Sequence, residues 1–147
     1  MAHSHLAEQS GASLRTPILR GVVFGGLSVV APLGFWWLDQ ATVHALSIAL
    51  IAAVYVGFAV ADGRPKVLVV ETLVALVFVV LAAAAVTETA WLLVVAYTAH
   101  GVKDLWQHRT HFVANTWWWP PFCLTVDWIV AAILVIEITA GVAFHSR

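Results

Sequence analysis

From residue 67 to residue 86 the chain runs for twenty residues with one charged side chain, Glu71. About 20 consecutive, mostly apolar residues is the length a helix needs to cross a bilayer. Four more segments have the same character: residues 17–38, 41–61, 90 to about 106, and 122 to about 144. Val, Leu, Ile and Ala dominate them without period-two alternation, which fits helices and excludes a β-barrel. Overall 62% of residues are hydrophobic and 10% charged, against roughly 45–50% and 25% in soluble domains. A soluble core of this size would leave most of that apolar surface in water. The expected fold is therefore all-α: an integral membrane bundle of five transmembrane helices, residues 17–144, behind a polar tail of residues 1–16.

Asp39-Gln40 and Thr87-Glu88-Thr89 leave room only for tight turns between antiparallel helices, and Gly63 and Pro65 punctuate the turn between. The one long connection, residues 107–121, follows a fourth span whose apolar part ends near Val102. That helix is expected to continue as an amphipathic one past the membrane surface. Pro32 is expected to kink the first span. That span contains Arg20 and ends in Phe-Trp-Trp, so it is not expected to be removed as a signal peptide.

Lys and Arg counts set orientation. Arg15, Arg20, Arg64, Lys66, Lys103 and Arg109 fall on one side and only Arg147 on the other. The N-terminus and the 107–121 connection are thus expected in the cytoplasm and the C-terminus outside. Trp36 and Trp37, and Trp117–Trp119, sit where interfacial anchors belong. A net charge of −1 gives no support to a nucleic-acid partner. The bilayer is the expected surrounding. Gly21-x-x-x-Gly25 offers a small-residue face for close helix packing, within the chain or against a second copy.

Ionisable groups inside spans are costly and usually face the protein interior or a pathway. At 1.5 Å per residue, Glu71, His100 and Asp127 each lie roughly 7–9 Å inside the inner boundary, on three different helices. On the fourth span His100, Asp104, His108 and His111 fall within about one quarter of the helix circumference, and Tyr97 shares that face. Cys123 sits one turn from Asp127. It reads as an inert buried thiol rather than a ligand.

Imidazole and carboxylate are the usual ligands of Zn, Fe, Mn and Cu, and an i,i+4 pair can hold one ion from one side. His100, Asp104, Asp127 and Glu71 are the expected ligands of a divalent transition metal. His108 and Tyr97 are the candidates for moving protons. The competing reading pairs the same acids with Arg20, Arg64, Lys66 and Lys103. On the outer side, Glu137 and His44 are expected to satisfy each other or to line a vestibule. A histidine-rich di-iron hydroxylase is unsupported, since the chain has no H-x-x-H-H box.

Three stretches, GFAVADGRPK (57–66), AHGVKDLWQH (99–108) and WWPPFCLTVDW (118–128), resemble a bacterial family of small multi-pass membrane proteins of unknown function. The resemblance covers about residues 41–140. It implies a compact helical fold in the bacterial inner membrane with a cytoplasm-facing polar cluster, and it implies no activity. Three functions compete at this stage. The first is a metal-dependent enzyme acting on a lipid or other apolar substrate. The second is a proton- or cation-coupled transporter or channel, and the third a non-catalytic assembly subunit of a membrane complex.

Overall fold

The computed structural model describes residues 13–114 and 116–145. Most of the polar tail, and Arg147 on the outer side of the charge count, lie outside the described residues. The described chain is helical throughout, without a strand. It runs as α1 (Arg15–Leu27), a 3₁₀ turn (Ser28–Val30), α2 (Ala31–Gly34), α3 (Gln40–Asp62), α4 (Pro65–Thr87), α5 (Trp91–Thr110) and α6 (Trp119–Thr139). Four stretches are long and apolar enough to cross a membrane: Arg15–Gly34, Gln40–Asp62, Pro65–Thr87 and Trp119–Thr139. Helix α5 is as long as these, at 20 residues. Lys103, Asp104, Gln107, His108 and Arg109 in its second half keep it out of that class.

Local chemistry sets the helix ends. The Asp39 carboxylate accepts from Thr42 N at 2.7 Å and caps α3, which Gly63 ends at φ 78°. Pro65 opens α4, where a missing N–H costs nothing. Trp119-Pro120-Pro121 does the same for α6, which begins three residues earlier than the apolar run suggests. It stops at Thr139, before the expected residue 144, because Gly141 at φ 79° turns the chain back. Phe144 O then accepts from Ala41 N at 3.0 Å, tying the end of the described chain to the start of α3. In the first span Pro32 cannot donate to Ser28 O and its ring crowds that carbonyl. The helix tightens into the 3₁₀ turn there.

Helix α1 packs on α6, α6 on α5, α5 on α4 and α4 on α3, and α3 closes back onto α5. A Cβ on Gly21 would lie 2.7 Å from Phe122 O, and one on Gly25 3.0 Å from Ile129 Cβ. The small-residue face is what lets α1 approach α6. It is covered within the chain, so the surface considered for a second copy is not free at Gly21 and Gly25. Ile48, Phe78, Leu93 and Leu134 fill the middle of the bundle. Tyr55, Ala59, Val67 and Val113 form a second cluster beneath the α5–α6 connection. Outward-facing Leu50, Val80 and Ile136 are each about two-thirds exposed. A bundle apolar inside and out is what a lipid surrounding requires.

The connection between α5 and α6 is clamped. Asp62 accepts from Arg64 Nε at 2.5 Å and Nη2 at 2.7 Å, and from Ala114 N at 2.7 Å. Arg64 Nη2 also donates to Phe112 O at 2.7 Å. The α3–α4 turn thus holds the connection down, and Val113 is buried against Tyr55 and Val67.

Candidate metal centre

Two i,i+4 pairs face each other across the α5–α6 interface: His100 and Asp104 on α5, Cys123 and Asp127 on α6. One ligand atom from each residue lies within 4.8 Å of all the others. His100 Nδ1 is 2.7 Å from Asp127 Oδ2 and 3.4 Å from Asp104 Oδ2. Cys123 Sγ is 4.0 Å from Asp127 Oδ2. His100, Asp104 and Asp127 are wholly buried. Two other helices contribute. Tyr55 of α3 donates its hydroxyl to Asp104 Oδ1 at 2.6 Å, and the Phe78 ring of α4 stands edge-on to the imidazole at 4.9 Å. Gly101, next to His100, has no room for a Cβ because the Trp128 indole covers it.

The competing reading of the acids divides by residue. Lys103 Nζ donates to Glu71 Oε2 at 2.7 Å and Gln107 Nε2 to Glu71 Oε1 at 2.6 Å, so both carboxylate oxygens are taken. Lys103 also stands 3.1 Å above the Tyr55 ring centroid, a cation–π contact. Gln107 turns its own oxygen to Val113 N at 3.3 Å, joining this pair to the connection. Glu71 therefore belongs to a neighbouring ion pair and not to the His100 cluster. Among the described residues no Lys or Arg forms an ion pair with Asp104 or Asp127; Lys103 stands over the Tyr55 ring that donates to Asp104, but its ion pair is with Glu71.

That leaves two buried carboxylates facing one imidazole, a group that is net negative whenever both acids are ionised. Uncompensated buried charge costs several kcal/mol per ion. Asp104 Oδ2, Asp127 Oδ1 and His100 Nε2 are moreover buried without a hydrogen-bond partner among the described residues. A divalent cation among the four donors would offset the carboxylate charge and could occupy the free Asp oxygens, with His100 binding through Nδ1 and its Nε2 left as it is. Donors around a tetrahedral ion with bonds of about 2.0–2.3 Å stand roughly 3.3–3.8 Å apart. The four ligand atoms lie within 4.8 Å of one another, so the wider pairs would close by about 1 Å and the 2.7 Å His100–Asp127 pair would open to admit the ion. The Tyr55 hydroxyl is placed to fix the Asp104 carboxylate, as outer partners of metal ligands do.

Other expected participants lie elsewhere. The Tyr97 hydroxyl donates to His44 O at 3.1 Å. His108 makes no hydrogen bond to the cluster, and its buried Nδ1 has no partner among the described residues. His111 leaves the helical face, because it ends α5 in the left-handed conformation at φ 50°. His44 and Glu137 form no ion pair: Glu137 Oε2 accepts from Gln40 Nε2 at 3.1 Å, and the His44 ring packs by Tyr97 and Phe144. Tyr55 is a member of the site that the spacing of ionisable residues does not identify; its signal is a phenol inside an apolar helix, which needs a partner when buried. The signal for Cys123 was its spacing from Asp127. Cys123 also lines an apolar cavity of about 440 Å³ between α1, α3 and α6. Comparison with protein-family models, curated proteins and solved structures finds no match, so chemistry and geometry alone carry the functional reading.

Proposed function

We propose that the chain is a five-span membrane protein that binds one divalent transition metal ion between α5 and α6 and uses it on a lipid or other apolar substrate. Its N-terminus and the α5–α6 connection face the cytoplasm and its C-terminus lies outside. Helix α5 is the fifth span, its polar half shielded by α3, α4 and α6. The six-to-one distribution of basic residues supports the orientation.

A single observation supports the metal reading: Asp104 and Asp127 are buried beside His100 and Cys123, and among the described residues neither carboxylate has an ion pair with a Lys or Arg, Lys103 being paired with Glu71. Nitrogen, oxygen and sulfur donors together suit zinc or ferrous iron, whereas calcium and magnesium want oxygen alone. Of the four donors Cys123 is the one that also lines the apolar cavity, so exchange of its thiol for water would open one position of the ion to a substrate there. An ion held with one open position supplies Lewis acidity and a water ionised near neutral pH. Proton transfer has the Tyr55–Asp104 and His100–Asp127 hydrogen bonds in its favour. Outward of them stand Ile48, Leu93 and Leu134, which offer no relay.

Thermal unfolding of chelator-treated protein in detergent tests the reading. Zinc at about 100 times its Kd adds roughly 2.7 kcal/mol to the folded state, a rise in Tm of several degrees for a chain of this size. Asp127→Asn abolishes that rise and Glu71→Gln keeps it. A wild type indifferent to zinc, ferrous iron, manganese and copper contradicts the proposal.

A further inference from the structure

Two cavities on the α1 side of the bundle share a wall. The first, of about 740 Å³, is lined by Thr16, Arg20, Trp117 and Trp118 among others. The second, of about 440 Å³, lies deeper and reaches Ser47, Tyr97 and Cys123. Phe24, Trp119 and Phe122 line both, so the two adjoin along α1. Each volume is within the range of about 300–1,000 Å³ typical of small-molecule sites. From Arg20 on α1, through the 3₁₀ turn, to Ala31 at the start of α2, which lines the deeper cavity, the first span rises roughly 16 Å, about half of the ~30 Å hydrocarbon core of a bilayer. The groove has the depth of one leaflet.

Its chemistry is graded. At the shallow end Arg20 is exposed, and among the described residues no carboxylate pairs with it. The Thr16 hydroxyl lies on the same wall, and Trp117 and Trp118 present half-exposed rings suited to the headgroup level. Further in, the Phe24 and Phe122 rings meet edge-on at 5.7 Å, and beyond them aliphatic side chains share the wall with Ser28, His44, Ser47, Tyr97 and Cys123, the surface they present being mainly apolar. Trp119, common to both cavities, has a buried indole N–H with no acceptor among the described residues. A lone cation at the surface leading into an apolar channel one leaflet deep is complementary to an anionic headgroup carrying a single hydrocarbon chain inward.

We propose that the α1–α6 groove binds an anionic phospholipid, its phosphate at Arg20 and one acyl chain running past Phe24 and Phe122 to Cys123. Binding there is independent of the metal. That the bound lipid is the substrate of the metal centre rests on the proposed function.

The test is photo-crosslinking of the full chain in phosphatidylcholine nanodiscs doped with phosphatidylglycerol that carries a mid-chain diazirine. Peptide mapping is expected to place the label on α6 between Phe122 and Val130 and on Tyr97. Arg20→Gln is expected to lower labelling about fivefold, the worth of one basic side chain at an anionic lipid surface, with thermal unfolding unchanged. Asp127→Asn is expected to label like the wild type, so failure of the metal reading leaves this outcome standing. Equal labelling by a phosphatidylcholine probe, or label spread over Leu50, Val80 and Ile136, overturns the proposal. So does groove labelling that appears only after removal of residues 1–12, which would assign the groove to the chain's own N-terminus.

Discussion

His100 Nδ1 lies 2.7 Å from Asp127 Oδ2 at the centre of the α5–α6 interface, and neither residue exposes any surface. One turn away on the same two helices, Asp104 and Cys123 complete a set of four donors. Each pair follows from i,i+4 spacing on its own helix, and helix packing brings the two pairs together. The cluster thus depends on how closely α5 and α6 approach.

That dependence is testable at Gly101. An added methyl must displace the Trp128 indole, so Gly101→Ala is expected to destabilise the protein by about 1–3 kcal/mol and to weaken metal binding through its neighbour His100. Gly26→Ala, with nothing within 4 Å of the new methyl, is the control and is expected to stay within about 0.5 kcal/mol of wild type. Reversible unfolding in mixed detergent micelles reads both. Equal stabilities for the two variants would contradict the packing account.

Tyr55→Phe removes the 2.6 Å bond to Asp104 and nothing else of the side chain's bulk. Loss of such an outer partner typically costs 10–100-fold in metal affinity. Competition with a chromogenic zinc chelator is expected to show a loss of about that size. An unchanged affinity would mean that Asp104 does not ligate the ion.

Glu71 and Lys103 are expected to behave as a structural pair. Glu71→Gln leaves Lys103 buried over Tyr55 without its counter-charge, at a cost of about 3–5 kcal/mol. Lys103→Met in the same chain should recover most of that loss, because both charges are then gone. A double variant no more stable than Glu71→Gln alone would show that the two residues are uncoupled.

Asp62→Ala releases Ala114 N and the Arg64 fork from one carboxylate. The α5–α6 connection should then open locally without global unfolding. Chymotrypsin is expected to cut near Phe112 in inside-out vesicles and to spare right-side-out ones. Cutting in right-side-out vesicles would reverse the orientation proposed from the basic residues.

Much of the centre was legible in the chain because depth and helical face are arithmetic. His100 and Asp104 share a face of α5, and Asp127 stands at the depth of His100 on another helix. The fold does bring these three together. The arithmetic is blind to azimuth between helices, and there the reading fell short. Glu71 has the right depth, yet α4 turns it toward Lys103 and Gln107. Cys123 looked inert by residue type and is one of the four clustered donors. The histidine stripe ran too far because nothing in its spacing announces that His111 adopts a left-handed conformation. Gly21 and Gly25 signalled close approach, but only the packed fold shows that α6 takes the place.

Elemental analysis of purified protein beside Asp127→Asn and Glu71→Gln tests the central claim most directly. The account predicts about one equivalent of a transition metal per chain in the wild type, retention in whatever Glu71→Gln protein folds, and loss in Asp127→Asn. Metal-free wild-type protein that also fails to take up zinc on dialysis would contradict it, as would metal that survives Asp127→Asn.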